Sequence, residues 1–295
     1  MDSISSIRLE AQGSRLAVQY RENMPRAEKP NKGALRGRIN KFSSRSRKRL
    51  LDMTASLDLQ DAVSSFPIIF VTLTYGQKFP EAEDAKRHLD NFKKRLVRFA
   101  PECSGLWRLE FQKRGAPHFH FILFNLPFLP MDELARWWGE IIGLEFWDTS
   151  QDEPRPPFTR IEALKNPRKV FSYVSKYVAK MPDTPTNALE TERSDCGFNN
   201  VPYFTAEDWT GRFWGILNRK CLPFAELFET ESECDEVVER AFFQFRRLMA
   251  HKWDAANHFG KHKGATIYVW VGADSWLDAW IQCLFDAQDE YASRN

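Results

Sequence analysis

"GLWRLEFQKRGAPHFHFILFNL", residues 105–126, decides the fold. It reads as two strands, 105–115 and 116–126, that meet at a turn near Arg114-Gly115-Ala116. Successive side chains of a strand point to opposite faces. Arg108, Glu110 and Gln112 therefore share one face, and Leu109, Phe111 and Lys113 share the other. On the second strand His118 and His120 lie on one face, while Phe119 and Phe121 point away from them and anchor the strand in the core. A tight hairpin sets Glu110 across from the histidines.

The flanking segments complete the pattern. "FPIIFVTLTYG" (66–76) is a β-branched and aromatic strand ended by Gly76. "EAEDAKRHLDNFKKRLVRFA" (81–100) carries Leu89, Phe92, Leu96 and Phe99 at helical spacing, and "MDELARWWGEIIG" (131–143) is a second helix. "FTRIEALK" (158–165) is a strand. "NPRKVFSYVSKYVAKM" (166–181) is a third helix, with Asn166 suited to the N-cap and Pro167 to the first helical position. The order β-α-β-β-α-β-α predicts an α+β, ferredoxin-like antiparallel sheet flanked by helices, with the 66–76 strand and the hairpin near its centre.

Three regions are expected. Residues 1–60 are a basic N-terminal arm, polar and without a clear period over 1–31, with a helix around "SRKRLLDMTASLD" (46–58). Residues 61–220 are the core, and "DWTGRFWGILN" (208–218) adds a turn and a short aromatic strand. Residues 221–295 are a mostly helical extension, with "GATIYVWVG" (264–272) as a late strand.

Of 295 residues, 43% are hydrophobic, with 24 Phe and 10 Trp, which is ample material for a core. No run approaches the ~20 apolar residues of a membrane span, and the polar N-terminus lacks the apolar stretch of a secretory signal. Five scattered cysteines without a CxxC pair argue against a disulfide framework or zinc knuckle and for reduced thiols in a cytoplasmic protein. The net charge is only +2, but it is unevenly spread. "KGALRGRINKFSSRSRKRLL" (32–51) contains no acid, whereas "ELFETESECDEVVER" (226–240) is strongly acidic. Arg45, Arg47, Lys48 and Arg49 are thus candidates for nucleic-acid contact, the alternative being a solvated basic helix.

Two constellations carry chemistry. A carboxylate and two imidazoles from paired strands, Glu110, His118 and His120, can hold one divalent ion with positions left open for substrate. Such a set takes Mg²⁺ or Mn²⁺ when phosphate supplies further oxygens, and it is also a zinc set; the other reading is two histidines on a solvated face. In the 166–181 helix, Tyr173, Lys176, Tyr177 and Lys180 form one stripe beside an apolar stripe of Val170, Phe171, Val174, Val178 and Met181. Lysines and a metal-bound phosphate favour attack by a phenol on phosphorus; the other reading is tyrosines at the core boundary. Taken together, the metal polarises a phosphodiester and a tyrosine attacks it. The bond energy is kept in a phosphotyrosine, and two tyrosines one turn apart allow two successive transfers.

"VTLTY" (71–75), "APHFHF" (116–121) and "YVSKYVAK" (173–180) resemble, in order and rough spacing, the three motifs of HUH endonucleases, the rolling-circle replication initiators of small phages and plasmids. "LEFQKRGAPHFHF" is similar to the single-stranded-DNA virus Rep pattern, in which a Glu ahead of the HxH pair completes a metal site. "GRFWGI" (211–216) resembles a segment after the nuclease core. The resemblance spans about residues 40–220. It implies an HUH-type antiparallel sheet, Mg²⁺ or Mn²⁺, and nicking of one DNA strand at an origin through a 5′-phosphotyrosine link that later rejoins. His118 and His120 become metal ligands, Glu110 the third, and Tyr173 and Tyr177 the nucleophile candidates. Lys176 and Lys180 assist at the phosphates. Thr72 and Thr74 position DNA or support the sheet, and Lys113 and Arg114 join the DNA-binding candidates. The implied partners are single-stranded origin DNA and the host helicase and polymerase, since the sequence has no Walker A motif. The alternatives are a relaxase, a single-strand transposase and a non-catalytic DNA-binding regulator. The order HxH before Tyr opposes the first, the length opposes the second, and the intact Glu, His and Tyr set opposes the third.

Overall fold

The computed structural model describes residues 6–21, 39, 42–59, 62, 66–112, 114–143, 147, 159–164, 209, 211–233, 236–250, 258–262, 265–271 and 276–294. The chain is α+β: two five-stranded antiparallel sheets and five α-helices among the described residues. It divides into two compact units, one of Met1–Arg36, Arg45–Asp58 and Phe224–Asn295, the other of Gly37–Ser44 and Leu59–Pro223. None of the described helices is long and apolar enough to cross a membrane.

The N-terminal segment forms β1 (Ser6–Gln12) and β2 (Arg15–Arg21), followed by α1 (Ser44–Ala55). The second unit then runs β3 (Ile68–Leu73), α2 (Ala82–Phe99), β4 (Ser104–Phe111), β5 (Pro117–Phe124), α3 (Met131–Ile142), β6 (Thr159–Leu164) and β7 (Trp214–Leu217). The chain ends with β8 (Leu227–Glu233), α4 (Glu236–Ala250), β9 (His258–His262), β10 (Ala265–Val271) and α5 (Trp276–Ala292).

The sheet of the second unit has the order β6-β3-β5-β4-β7, so the hairpin β4–β5 and strand β3 occupy its centre, as expected. The expected helix 166–181 lies outside the described residues. Helices α2 and α3 cover one face. α2 begins with Glu83 and Asp84 in its first turn, where carboxylates oppose the positive helix end, and stops before Pro101. Its buried stripe, Ala85, His88, Leu89, Phe92 and Leu96, faces the sheet. α3 starts after Pro130, carries Asp132 and Glu133 in its first turn, and ends at Gly143. The two helices meet the strands through aromatic rings: Phe92 lies 5.3 Å from Phe121 and 6.0 Å from Trp138, and Trp138 lies 6.3 Å from Phe119, between ring centroids. Phe119 and Phe121 are fully buried, so the strand is anchored in the core through them. The opposite face of the same strands carries Thr72, His118, His120, Arg108 and Glu110.

The hairpin turn closes where the sequence places it. Gly115 sits at φ 85°, a left-handed conformation that favours glycine, and the Gln112 N–H donates to the Ala116 carbonyl at 2.9 Å. On the far side of β4, β7 pairs through Arg108↔Trp214 to Gly105↔Leu217, and the Leu109 N–H donates to the Phe213 carbonyl at 2.8 Å.

The termini correct the sequence reading. Residues 1–31 show no clear period, yet 6–21 form a hairpin turning on Gly13, whose φ is 55°. A Cβ at Gly13 would lie 2.5 Å from the Ala55 carbonyl oxygen, so the close approach of α1 also requires glycine. The hidden signal is the alternation Ile7, Leu9 and Leu16, Val18, four residues buried against Ala241, Phe242 and Phe245 of α4 and Trp280, Cys283 and Ala287 of α5. Four apolar positions per hairpin are too few to declare a strand until a helix covers them. Residues 221–295 contain helices and the expected late strand, β10, but also β8 and β9. The sheet order β8-β1-β2-β10-β9 inserts the N-terminal hairpin between C-terminal strands, so Met1–Arg36 and Arg45–Asp58 form one unit with Phe224–Asn295, while Gly37–Ser44 joins the other.

Candidate functional site

The site is built by cross-strand register. Glu110 on β4 pairs with His118 on β5, and Arg108 pairs with His120. His120 pairs in turn with Thr72 on β3, and Thr72 with Arg160 on β6. One row across five strands therefore reads Arg160, Thr72, His120, Arg108, Trp214. Adjacent strands lie about 4.8 Å apart, so these side chains are neighbours on one face. Thr72, His120 and Arg108 are buried, at 7%, 7% and 6% exposure.

The polar groups are tied together. His120 Nε2 lies 3.2 Å from Glu110 Oε2, and its Nδ1 lies 3.2 Å from Thr72 Oγ1. The His120 ring stacks on Phe70, with centroids 5.5 Å apart, and lies 4.4 Å from the His118 ring. Arg108 Nη1 is 3.2 Å from Glu110 Oε1, an ion-pair contact without the alignment of a hydrogen bond. Burial by itself would raise the Glu110 carboxyl. The hydrogen bond to His120 and the charges of Arg108, His120 and His118 more than offset it, so the group titrates below its usual value. Burial, reinforced by repulsion from His120, pushes His118 down to about 3 against the pull of Glu110. His118 is consequently neutral at physiological pH, the form in which an imidazole binds metal.

Among the described residues no group of three or more His, Cys, Asp or Glu side chains is arranged as a ready metal cage. Glu110 and His120 form a hydrogen-bonded pair instead, with the His118 ring 4.4 Å from that of His120. The residues nonetheless fit a divalent ion in their chemistry. His118 Nε2 is buried with no hydrogen-bond partner among the described residues, and an unpartnered buried nitrogen costs stability unless something binds it. A lowered carboxylate and a neutral imidazole are donors that need lose no proton to do so.

The remaining candidates fall in different places. Thr72 donates to or accepts from His120 on the site face, and Thr74 is buried, its carbonyl accepting the Trp138 Nε1 hydrogen bond. Arg114 at the hairpin tip directs its guanidinium at backbone: it donates to the carbonyls of Tyr75 at 2.7 Å and Gln77 at 3.0 Å and to that of Gly76, and it lies over the Phe79 ring. It thereby ties the loop after β3 to the hairpin. On α1, Arg45 and Arg49 are exposed and Arg47 and Lys48 half-buried. Tyr173, Lys176, Tyr177, Lys180 and Lys113 lie outside the described residues. Two side chains in the site had no assigned role from sequence: Arg108, whose parity with Glu110 was the available signal, and Phe42, whose ring lies 4.8 Å from the Arg108 guanidinium and which no local pattern connects to β4.

This geometry sits inside a segment with known relatives. Residues 68–182 match the family of replication-associated proteins of the ORF2 and gene II protein type. The matched segment begins with β3 and contains the whole Glu110–His118–His120 cluster. The family is described as replication-associated, and the match covers residues 68–182 of the 295. No curated protein and no solved structure matches the chain significantly.

Proposed function

We propose that the chain is a metal-dependent, HUH-type DNA nickase and strand transferase that initiates rolling-circle replication. The observation that carries this reading is the largely buried Glu110–His118–His120 cluster, its His120 buried and its other two side chains half-buried, with an unpartnered His118 Nε2, on the central strands of a segment matching replication-associated proteins. Glu110, His118 and His120 would hold Mg²⁺ or Mn²⁺, which supplies polarisation of a phosphate oxygen when bound. Thr72 fixes the His120 ring through Nδ1, leaving Nε2 directed at Glu110.

Tyr173 or Tyr177 attacks the phosphorus through its phenolic oxygen. The P–O3′ bond breaks, the 3′-hydroxyl leaves with a proton, and the 5′-phosphate remains esterified to tyrosine. Reversal by a later 3′-hydroxyl rejoins the strand, and Lys176 and Lys180 offset the phosphate charge. Arg45, Arg47, Lys48 and Arg49 serve the single-stranded origin DNA. The host helicase and polymerase supply unwinding and synthesis, which places the work in the cytoplasm.

The test incubates the full chain with single-stranded oligonucleotides from its own replicon and Mn²⁺. A covalent protein–DNA adduct is expected that disappears with EDTA and with Tyr173→Phe plus Tyr177→Phe. His118→Ala should lower cleavage at least ~10²-fold while DNA affinity holds. An adduct that survives the double tyrosine change refutes the nucleophile assignment; equal loss of binding and cleavage in His118→Ala refutes the metal role.

A further inference from the structure

Arg108 is a charge where the fold asks for none. Leu106, two residues earlier on the same face of β4, is buried as a plain hydrocarbon. Burying a guanidinium costs several kcal/mol unless it is paired, so a cation at 6% exposure calls for a task beyond packing. One of its contacts is with the site carboxylate. Nη1 meets Glu110 Oε1, while the other carboxylate oxygen, Oε2, faces His120. The carboxylate is thus gripped from two strands, one oxygen each, and its rotation is restricted.

A second residue holds the grip in place. The guanidinium lies 4.8 Å from the centre of the Phe42 ring, a cation–π arrangement that suits the planar fork of arginine. Phe42 is buried and belongs to Gly37–Ser44, which is part of the same compact unit as the sheet although it precedes β3 in the chain. The Gly211 N–H donates to the Ile39 carbonyl at 2.7 Å and ties that segment to the β7 approach. Neither Phe42 nor Gly211 lies within the matched residues 68–182.

We propose that Arg108 is the positioning residue for Glu110, turning its Oε2 toward His118 and His120, and that Phe42 fixes Arg108 from outside the family-matched segment. The inference rests on the metal reading of this cluster given under the proposed function. It assigns the basic N-terminal stretch a second use: besides offering arginines to DNA, it completes the site.

The two roles open to Arg108 differ in sign. A bystander cation beside a divalent ion repels it, so its removal tightens metal binding. A positioning residue preorganises a ligand, so its removal weakens binding, typically ~10–100-fold for an outer-sphere partner. Mn²⁺ affinity of the full chain, read by electron paramagnetic resonance, separates them without reference to activity. Arg108→Met is expected to weaken Mn²⁺ about tenfold, with Arg108→Lys restoring part of the loss because it keeps the charge without the fork. Phe42→Leu, which preserves an apolar side chain and so protects the fold, is expected to weaken Mn²⁺ several-fold with a thermal midpoint near that of the parent. Tighter or unchanged binding in Arg108→Met overturns the positioning role, and unchanged binding in Phe42→Leu overturns the assignment of Phe42. If Arg108→Met does not fold, Arg108→Lys takes its place, and unchanged or tighter binding there overturns the positioning role. Absence of Mn²⁺ binding by the parent chain overturns the metal reading itself, and this inference with it.

Discussion

The two sheets share strand number and antiparallel pairing but differ in what they do with charge. In the sheet β8-β1-β2-β10-β9, Arg8 bridges Glu10 and Glu229, and Arg15 reaches Glu10 at 3.4 Å. These side chains are partly solvated, Arg8 and Glu10 being about a third exposed at 32% and 31%, so their charges are screened and interchangeable. In the sheet β6-β3-β5-β4-β7, the polar groups Thr72, Arg108 and His120 are buried in a row, and Glu110 and His118 stand beside them. Buried polar groups are costly, so a fold that keeps them does so for geometry or chemistry. The first sheet carries Arg8, Glu10 and Arg15 in partly solvated pairs, and the second buries Thr72, Arg108 and His120 around the HxH pair.

Three substitutions sharpen that contrast, in falling order of effect. Trp138 is fully buried and joins α3 to Phe92, Phe119 and the Thr74 carbonyl. Trp138→Ala should cost about 3–5 kcal/mol in urea unfolding, because it empties the helix-covered face that holds the site face in shape. A loss below ~1 kcal/mol would mean that the aromatic layer is not what supports the site.

The next effect is a pH dependence. His118 is neutral in the folded chain down to about 3, whereas its ordinary value is 6.5. Between those limits the unfolded chain binds a proton that the folded chain does not, so stability rises with pH and is lost as pH falls below 6.5. The slope is at most about 1.4 kcal/mol per pH unit. His88, lowered by burial in the same direction, adds a smaller slope. His118→Gln should therefore flatten, without abolishing, the loss of stability between pH 6.5 and 5. The Glu110 carboxyl, lowered on balance, acts further down: its contribution is lost only as pH falls through and below the usual carboxylate range. An unchanged slope in His118→Gln would show that the histidine is protonated in the folded state and is no ready metal donor.

The smallest effect belongs to the other sheet. Arg8→Met removes two partly exposed ion pairs and should change stability by about 0–1 kcal/mol, with DNA cleavage untouched. A loss of several kcal/mol would erase the contrast between a screened face and a buried one.

The core of the second unit was legible because its signals are local. β4 and β5 are joined by a turn of a few residues, so alternation and Gly115 together bring Glu110 opposite His118, and the register found is the one the spacing requires. α2 and α3 declare themselves by buried residues at helical spacing and by acids in their first turns. Arg114 adds a contact that no such signal carries. Its guanidinium binds the carbonyls of Tyr75, Gly76 and Gln77 and the Gln112 side chain. A sequence states a charge but not which carbonyls a loop will turn toward it.

The sequence by itself determined the α+β class, the hairpin, the face shared by Glu110, His118 and His120, and the phenylalanines that anchor it from behind. All of these follow from periods of 2 and 3.6 acting over short separations. Tertiary structure alone decided that the N-terminal hairpin lies between β8 and β10, that Phe42 stacks on Arg108, and that His120 is held by Thr72 on one nitrogen and Glu110 on the other. Apart from His120 with Glu110, which the hairpin brings together, these contacts join residues tens to hundreds of positions apart. Their formation depends on which apolar faces cover one another once the chain has collapsed, and no local period records that choice.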